Sequence, residues 1–178
     1  MLSPRSLLAV AHDLARLDPR RPRQASLRRA VSTAYYATFH LLIQTAVKSF
    51  IGFGPRPTHR EISESVVRWF THERLAEACR QFAGPVVPSK LRSVLPPLAR
   101  AEPTSAELQR VARIFLELQR VRHRADYDPA VRFARQDVLK LLAQVDQAFL
   151  DWEAAASDPF RPIFLLFMLT GEVVIKNR

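Results

Sequence analysis

The residues best suited to chemistry lie at the end of one predicted helix. An apolar stripe with helical spacing leads up to them, formed by Leu108, Val111, Phe115 and Leu118. Its next position is Arg122, and an arginine on a buried face needs an acidic neighbour or an anionic ligand. Asp126, four residues on, is placed to be that neighbour. The pattern predicts either a helix-end ion pair that holds the turn from Tyr127 to Pro129, or a guanidinium that binds a phosphate.

A second polar stripe lies on an earlier predicted helix, and it consists of Arg29, Thr33, Tyr36 and His40. Spacings of four, three and four stack these side chains on one helical face. A cation, two hydroxyls and an imidazole are the groups that a phosphate-handling site uses. The alternative is that Tyr36 and His40 pack under a loop. His123 points about 100° away from Arg122 on an ideal helix, so it is either a surface residue or part of a symmetric interface.

Other chemistries lack the residues that they need. Gly52 and Gly54 follow a helix and not a strand, so they do not form a nucleotide cradle. Cys79 is the one cysteine and has no base at a fixed spacing. No Glu-x-x-His partner accompanies the glutamates that could bridge metal ions, which are Glu61, Glu64 and Glu73. We therefore expect no metal site and no cofactor.

The charge is positive and unevenly distributed. The chain has 178 residues and a formal net charge of +10. Residues 1–60 contain ten Lys and Arg against two Asp, whereas the rest of the chain is nearly balanced. Such a surface attracts polyanions, above all nucleic acid, although charge runs are also ordinary solvated faces. We expect the cluster from Arg20 to Arg29, with Arg23 and Arg28 in it, to guide a nucleic acid to the site.

The composition predicts one soluble domain in the reducing cytoplasm. Hydrophobic residues make up 48% of the chain, and a single cysteine excludes an internal disulfide. No leader with a secretory cleavage site is evident. The longest apolar run, Ile163 to Leu169, is far shorter than the roughly 20 residues of a membrane-spanning helix. No membrane association is expected.

The elements that must position these residues are all predicted to be helical, because apolar residues recur at helical spacing and no alternating strand pattern occurs. Ser3 caps a first helix from Pro4 to about Leu17. Four long helices are expected to follow: Gln24 to Phe50, Thr58 to about Phe82, Thr104 to about Asp126, and one after Phe133 that includes Trp152. Counted from the helix that begins at Pro4, the third and fourth helices begin at capping boxes. These are Thr58 with Glu61 and Thr104 with Glu107.

The fold class is therefore all-α, an antiparallel bundle of four to five helices. Five prolines between Gly84 and Pro103 predict a long loop with one short helical piece between the third and fourth long helices. Asp158 with Pro159 begins a short apolar helix closed by Gly171. We expect one domain over residues 1–178, with a core over about 24–156 and an apolar flap over about 158–171. The flap either covers the core or binds a partner.

Two segments together resemble the HEPN (higher eukaryotes and prokaryotes nucleotide-binding) superfamily. Residues 28–41 are Arg-Arg-Ala-Val-Ser-Thr-Ala-Tyr-Tyr-Ala-Thr-Phe-His-Leu, and residues 122–128 are Arg-His-Arg-Ala-Asp-Tyr-Asp. They resemble a bacterial branch with an Ala-Tyr-Tyr-Ala-x-x-His core helix and an Arg-x-x-Ala-Asp-Tyr ending. The resemblance implies an all-α homodimer. Many members are metal-independent ribonucleases, often toxins encoded beside a small nucleotidyltransferase antitoxin.

The resemblance also implies roles for single residues. Active members line a cleft at the dimer axis with an arginine, a polar residue and a histidine, which Arg122 and His123 match in part. The histidine helps the ribose 2′-hydroxyl attack its own phosphate, and the arginine stabilises the charged phosphorane. Here Asp126 and Tyr127 occupy the place of that histidine, and no histidine follows His123. Asp126 as a general base, or His40 or His123 of a partner subunit, is the implied substitute.

Tyr127 also matches a tyrosine that a partner nucleotidyltransferase modifies in some toxin systems, which would block the phosphate site. The sequence thus predicts a dimeric, HEPN-type endoribonuclease of a toxin–antitoxin or defence pair. The candidate catalytic residues are Arg122, His123, Asp126, Tyr127 and His40, and the candidate substrate-binding residues are Arg23, Arg28, Arg29 and Tyr36. The alternatives are a catalytically silent nucleotide-binding or interaction module that partners a nucleotidyltransferase, and a purely structural scaffold.

Overall fold

The computed structural model describes residues 3–52, 57–87, 89–94 and 103–171. These residues contain eight α-helices, one 3-10 turn and no strand, which confirms the all-α class. In chain order the helices are α1 (Pro4–Arg16), α2 (Gln24–Phe50), α3 (Pro57–Val67), α4 (His72–Phe82), α5 (Ser89–Val94), α6 (Ala106–Tyr127), α7 (Arg135–Ala154) and α8 (Arg161–Thr170), with the 3-10 turn at Ala155–Ser157. Within the described ranges, no helix is long and apolar enough to cross a membrane.

The helices are distributed over two compact units. The first unit consists of Met1–Leu41 and Ile114–Leu150, and the second of Leu42–Arg113 and Asp151–Arg178. The antiparallel bundle and the single domain with a core over about 24–156 stay predictions.

Two helix starts confirm the local signals in the sequence. Ser3 precedes α1, and its hydroxyl accepts a hydrogen bond from the backbone N–H of Ser6. This bond satisfies one of the N–H groups that a helix start leaves without a partner. Helix α2 has the predicted bounds, Gln24–Phe50.

The prediction of one helix from Thr58 to about Phe82 is wrong, because a turn at residues 68–71 separates α3 from α4. Thr71 has extended backbone angles, φ −111° and ψ 151°, and its hydroxyl accepts from the N–H of Arg74. This threonine caps the start of α4. Helix α3 begins at Pro57, so Thr58 lies inside its first turn and is not its cap.

The cap of α6 is also displaced from its predicted position. Ser105 accepts from the N–H of Leu108, so the cap is Ser105 and not Thr104. Glu107 pairs with Arg110 at 2.8 Å and so does not complete a capping box. Helix α5 supplies the short helical piece expected in the proline-rich segment. Gly54, Pro88, Pro96 and Pro97, on which parts of the loop predictions rest, lie outside the described residues.

The first unit contains α1, the beginning of α2, the second half of α6 and most of α7. Apolar side chains of each helix are buried, among them Leu8, Leu27, Val31, Tyr35, Phe115, Leu118, Leu142 and Val145. The predicted apolar stripe of α6 is confirmed, since all four of its residues are fully buried. This buried face sets the direction in which Arg122, the next residue of the stripe, extends.

The second unit contains the apolar flap, which the sequence predicted either to cover the core or to bind a partner. Helix α8 packs on α4. The Phe164 ring meets that of Phe82 edge to face, with ring centroids 5.4 Å apart, and lies 5.9 Å from Trp152. The flap therefore covers the core of its own unit. Gly171 ends α8 with a φ of 59°, a conformation that favours glycine, as the sequence predicted.

Candidate functional site

The first unit holds Arg122 in an ion pair with Asp126. Arg122 Nε lies 2.6 Å from Asp126 Oδ2, which confirms the pairing predicted from their spacing of four residues. Ser32, a buried residue of α2, donates its hydroxyl hydrogen to Asp126 Oδ1. Both carboxylate oxygens of Asp126 are therefore engaged, and this residue links α6 to α2.

Three tyrosine rings surround the Arg122 guanidinium. Its Cζ lies 5.6 Å from the ring centroids of Tyr35 and Tyr36 and 5.7 Å from that of Tyr127. Its Nη2 also donates to the Tyr36 hydroxyl at 3.3 Å. Burial by itself lowers the pKa of Arg122, but the neighbouring tyrosine hydroxyls and Asp126 outweigh it, so the pKa is raised. The cation is thus fixed within the cluster while 19% of its side chain stays exposed.

Arg28 holds the end of α6 and the turn that follows. Its guanidinium donates to the backbone carbonyls of Ala125, Asp128 and Val131. A cation is favourable here because the last carbonyls of a helix have no partners within the helix and form its negative end. Arg28 thereby positions the segment that carries Asp126 and Tyr127. Its predicted role in substrate binding stays a prediction.

A second clamp acts on the same turn. The Gln24 side-chain amide donates to the carbonyl of Phe133 at 2.9 Å, and its carbonyl accepts from the N–H of Phe133 at 2.8 Å. These two reciprocal hydrogen bonds resemble those of a residue pair in an antiparallel β-sheet. They fix the end of the turn that precedes α7. Gln24 and Arg28 lie one helical turn apart on α2, so one helix face holds the whole segment from 125 to 133.

The predicted catalytic histidines lie in different surroundings. His123 is exposed, and its ring centroid lies 5.0 Å from that of Tyr127, which is itself 65% exposed. His40 lies one turn beyond Tyr36 on α2, with its ring 5.8 Å from that of Phe39. Burial lowers the pKa of His40, and its Nδ1 is buried without a hydrogen-bond partner among the described residues. His40 is therefore a neutral imidazole at neutral pH.

Among the predicted substrate-binding residues, Arg28 and Tyr36 both contact the end of α6. Arg23 pairs with Asp18 through two hydrogen bonds of 2.8 and 3.1 Å. Arg29 is exposed, and no ion pair joins it to another residue that the structure describes. Of the stripe predicted on α2, Tyr36 is the member that contacts Arg122.

Sequence reasoning missed Ser32 and Tyr35, two residues of α2 that complete the site, and it assigned Arg28 to substrate binding and not to the turn after α6. Arg28, Ser32 and Tyr35 follow each other at spacings of four and three, one position before the predicted stripe of Arg29, Thr33 and Tyr36. All three meet the end of α6, directly or through its turn. Their spacing was visible in the sequence, but it does not show which of two adjacent stripes faces the neighbouring helix.

The site combines one guanidinium, one carboxylate and three aromatic rings. Within the described ranges, no group of three or more His, Cys, Asp and Glu side chains could hold a metal. No family model matches the chain, and no curated protein or solved structure shows significant similarity to it. The residues and their contacts therefore carry the functional argument.

Replacing Arg28 by leucine is expected to destabilise the protein by about 2–3 kcal/mol, because three partly buried carbonyls lose a charged donor. The matched control is Arg29→Leu, which removes the same charge from the next position of the helix and is expected to change stability by about 0.5 kcal/mol or less. Urea unfolding followed by circular dichroism measures both. Equal losses in the two variants would contradict the clamp.

Proposed function

We propose that this chain is an HEPN-type protein that acts on RNA as a metal-independent endoribonuclease of a toxin–antitoxin or defence pair. One observation carries the proposal. Asp126 and three tyrosine rings fix Arg122, and one of these rings, Tyr127, also contacts the exposed imidazole of His123. A guanidinium can stabilise charge on a phosphate and an imidazole can carry protons, so the two groups can support phosphoryl transfer without a metal.

In the proposed reaction the ribose 2′-oxygen attacks the adjacent phosphorus while the bond from phosphorus to the 5′-oxygen breaks. A base takes the 2′-hydroxyl proton, and the leaving 5′-oxygen gains a proton. The products are a 2′,3′-cyclic phosphate and a 5′-hydroxyl. Arg122 stabilises the negative charge that develops on the phosphate oxygens. His123 is the proposed proton carrier, since it is exposed and its ring contacts Tyr127, which also contacts Arg122.

The ion pair with Asp126 sets a condition on this chemistry. Arg122 and Asp126 together are neutral, so a phosphate competes with the carboxylate for the guanidinium. The tyrosine rings attract the cation without neutralising it, and they hold it in place during the exchange. The exposed arginines of the first unit supply the unpaired positive charge that draws RNA to the site; among them are Arg20, Arg21, Arg29, Arg124 and Arg132.

A homodimer would complete the site. One copy offers Arg122 and one exposed imidazole, His123, whereas a displacement at phosphorus uses both a base and an acid. A second copy placed across a two-fold axis adds a second His123 and a second Arg122. The exposed ring pair of His123 and Tyr127 is the surface that we propose lies at this axis.

The second candidate function is a catalytically silent nucleotide-binding or interaction module that partners a nucleotidyltransferase. Two observations favour it: Asp126 already neutralises Arg122, and no histidine follows His123 in the sequence. The Tyr127 ring is 65% exposed, so a partner enzyme could reach it for modification. A nucleotide attached there would place a phosphate next to the Arg122 guanidinium.

The test is incubation of the purified 178-residue chain with total RNA, with and without EDTA, followed by analysis of the new termini. We expect cleavage with 2′,3′-cyclic phosphate and 5′-hydroxyl ends, because the proposed chemistry needs no metal ion. Intact RNA in the presence of folded protein would contradict the ribonuclease and support the silent module. Cleavage that EDTA abolishes would contradict both.

A further inference from the structure

An open depression lies beside Asp126 in the first unit, at the turn between α6 and α7. Its volume is about 330 Å³, and it is lined by Gln24, Arg28, Asp126, Tyr127, Pro129 and Arg132. Small-molecule sites range from about 300 to 1,000 Å³, so the depression is large enough for one nucleobase. It offers the exposed ring of Tyr127 and the pyrrolidine ring of Pro129 as apolar surfaces.

The walls of the depression are fixed, and few of its polar groups are available. Gln24 uses both ends of its amide on Phe133, and Arg28 is occupied by backbone carbonyls. Asp126 accepts from Ser32 on one oxygen and contacts Arg122 with the other. A carboxylate has about four acceptor sites, so each oxygen keeps capacity for one more donor. Arg132 is exposed and has no ion pair among the described residues.

The remaining groups select one kind of ligand. A carboxylate accepts hydrogen bonds and cannot donate them, so two adjacent N–H donors satisfy it best. Guanine alone among the four RNA bases presents two such donors side by side, N1–H and N2–H, on its pairing edge. Stacking on an aromatic ring and hydrogen bonds to that edge are how proteins read unpaired RNA bases. The Arg132 guanidinium is then free for the phosphate of the same nucleotide.

We propose that this depression binds an unpaired guanine nucleotide, stacked on Tyr127, with its pairing edge on the Asp126 carboxylate and its phosphate on Arg132. The inference rests on the proposed function, because it names the substrate class as single-stranded RNA with a guanine beside the scissile phosphate. It also assigns Asp126 a second role besides its ion pair with Arg122, which is to select the base.

The test measures binding of GMP, AMP, CMP and UMP to the full-length protein by isothermal titration calorimetry. We expect GMP to bind at least about fivefold more tightly than AMP, since one bidentate pairing to a base discriminates by about 1–3 kcal/mol. Asp126→Asn replaces one acceptor by a donor and is expected to remove the preference for GMP over AMP. Tyr127→Leu is expected to weaken all four nucleotides, and Arg132→Gln to weaken GMP while leaving the GMP-to-AMP ratio unchanged.

The ratio of the affinities for GMP and AMP separates base recognition by Asp126 from a purely structural role of this residue. If the carboxylate only holds Arg122, then Asp126→Asn changes the affinity for all four nucleotides by the same factor. That result, or equal binding of the four nucleotides by the unaltered protein, would overturn the inference. RNA cleavage without guanine preference would overturn it and leave the proposed ribonuclease standing. Guanine binding without any cleavage would support the inference and contradict the ribonuclease.

Discussion

Replacing Arg122 by alanine is expected to lower the rate of RNA cleavage at least about 100-fold, equivalent to about 2.7 kcal/mol of transition-state stabilisation. The guanidinium is the one cation that the structure encloses within a ring cluster, as far as the described residues extend. Its loss removes the group that we propose stabilises the charge on the phosphate. Cleavage of a defined RNA in EDTA, with the rate measured at saturating protein, determines the effect.

Arg122→Lys sharpens this experiment. Lysine keeps the positive charge but lacks the planar fork of donors, so it cannot bind two phosphate oxygens with the fixed bidentate geometry of a guanidinium. We expect most of the activity to be lost in this variant too. Such a result would show that the geometry of the guanidinium matters as well as its charge.

Arg124→Ala is the matched control for both substitutions. Arg124 lies two residues further along α6, is exposed, and carries the same charge. Its replacement is expected to lower cleavage only a few-fold, through weaker attraction of RNA. Equal losses at the two positions would mean that total charge matters and not the Arg122 cluster. Loss of helical circular dichroism in Arg122→Ala would instead assign Arg122 to the fold.

Replacing Phe164 by alanine is expected to cost about 3–5 kcal/mol of stability, a large share of the roughly 5–15 kcal/mol of a typical domain. Phe164 is fully buried, and its ring packs on those of Phe82 and Trp152. Truncation leaves a cavity that these large rings cannot fill without moving. Thermal unfolding is expected to shift down by roughly 6–20 °C.

Leu166→Ala, on the same helix, is the control for this substitution. Leu166 is 45% exposed, so its truncation removes little buried surface and is expected to cost about 1 kcal/mol or less. The comparison keeps helix propensity nearly constant, because both variants introduce alanine into α8. If Phe164→Ala were no more harmful than Leu166→Ala, the packing of α8 on α4 would not contribute to stability in solution.

The arginine-rich composition has a structural explanation alongside the functional one. Several guanidiniums donate to backbone carbonyls: Arg28 to the end of α6, Arg135 to Leu17 and Asp18, Arg74 to Leu169, and Arg113 to Ala83. Arg110 pairs with Glu107 and Asp151, which raise its pKa. These cations hold turns and helix ends, so the net charge of the chain overstates the number of cationic groups available to a ligand.

The ion pair of the candidate site was predictable from the sequence, and most of its surroundings were not. Arg122 continues an apolar stripe and has Asp126 at the next turn, so a local spacing rule was sufficient. Ser32 and Tyr35 could not be assigned to the site in the same way. They are about 90 residues away in the chain, and their contact depends on how α2 is rotated about its axis. If α2 were rotated about its axis by the angle of one residue, about 100°, Arg29 and Thr33 would face α6 instead.

The sequence by itself determined the helical class, the bounds of α2, the cap of α1 and the glycine stop of α8, because these depend on side chains within a few residues of each other. It misplaced the cap of α6 and missed the turn before α4, where competing polar residues offered more than one local solution. Tertiary structure decided that the flap covers its own unit, that Arg28 clamps the turn and that three tyrosines enclose Arg122. These contacts join residues far apart in the chain, so only the packing of one helix on another selects them.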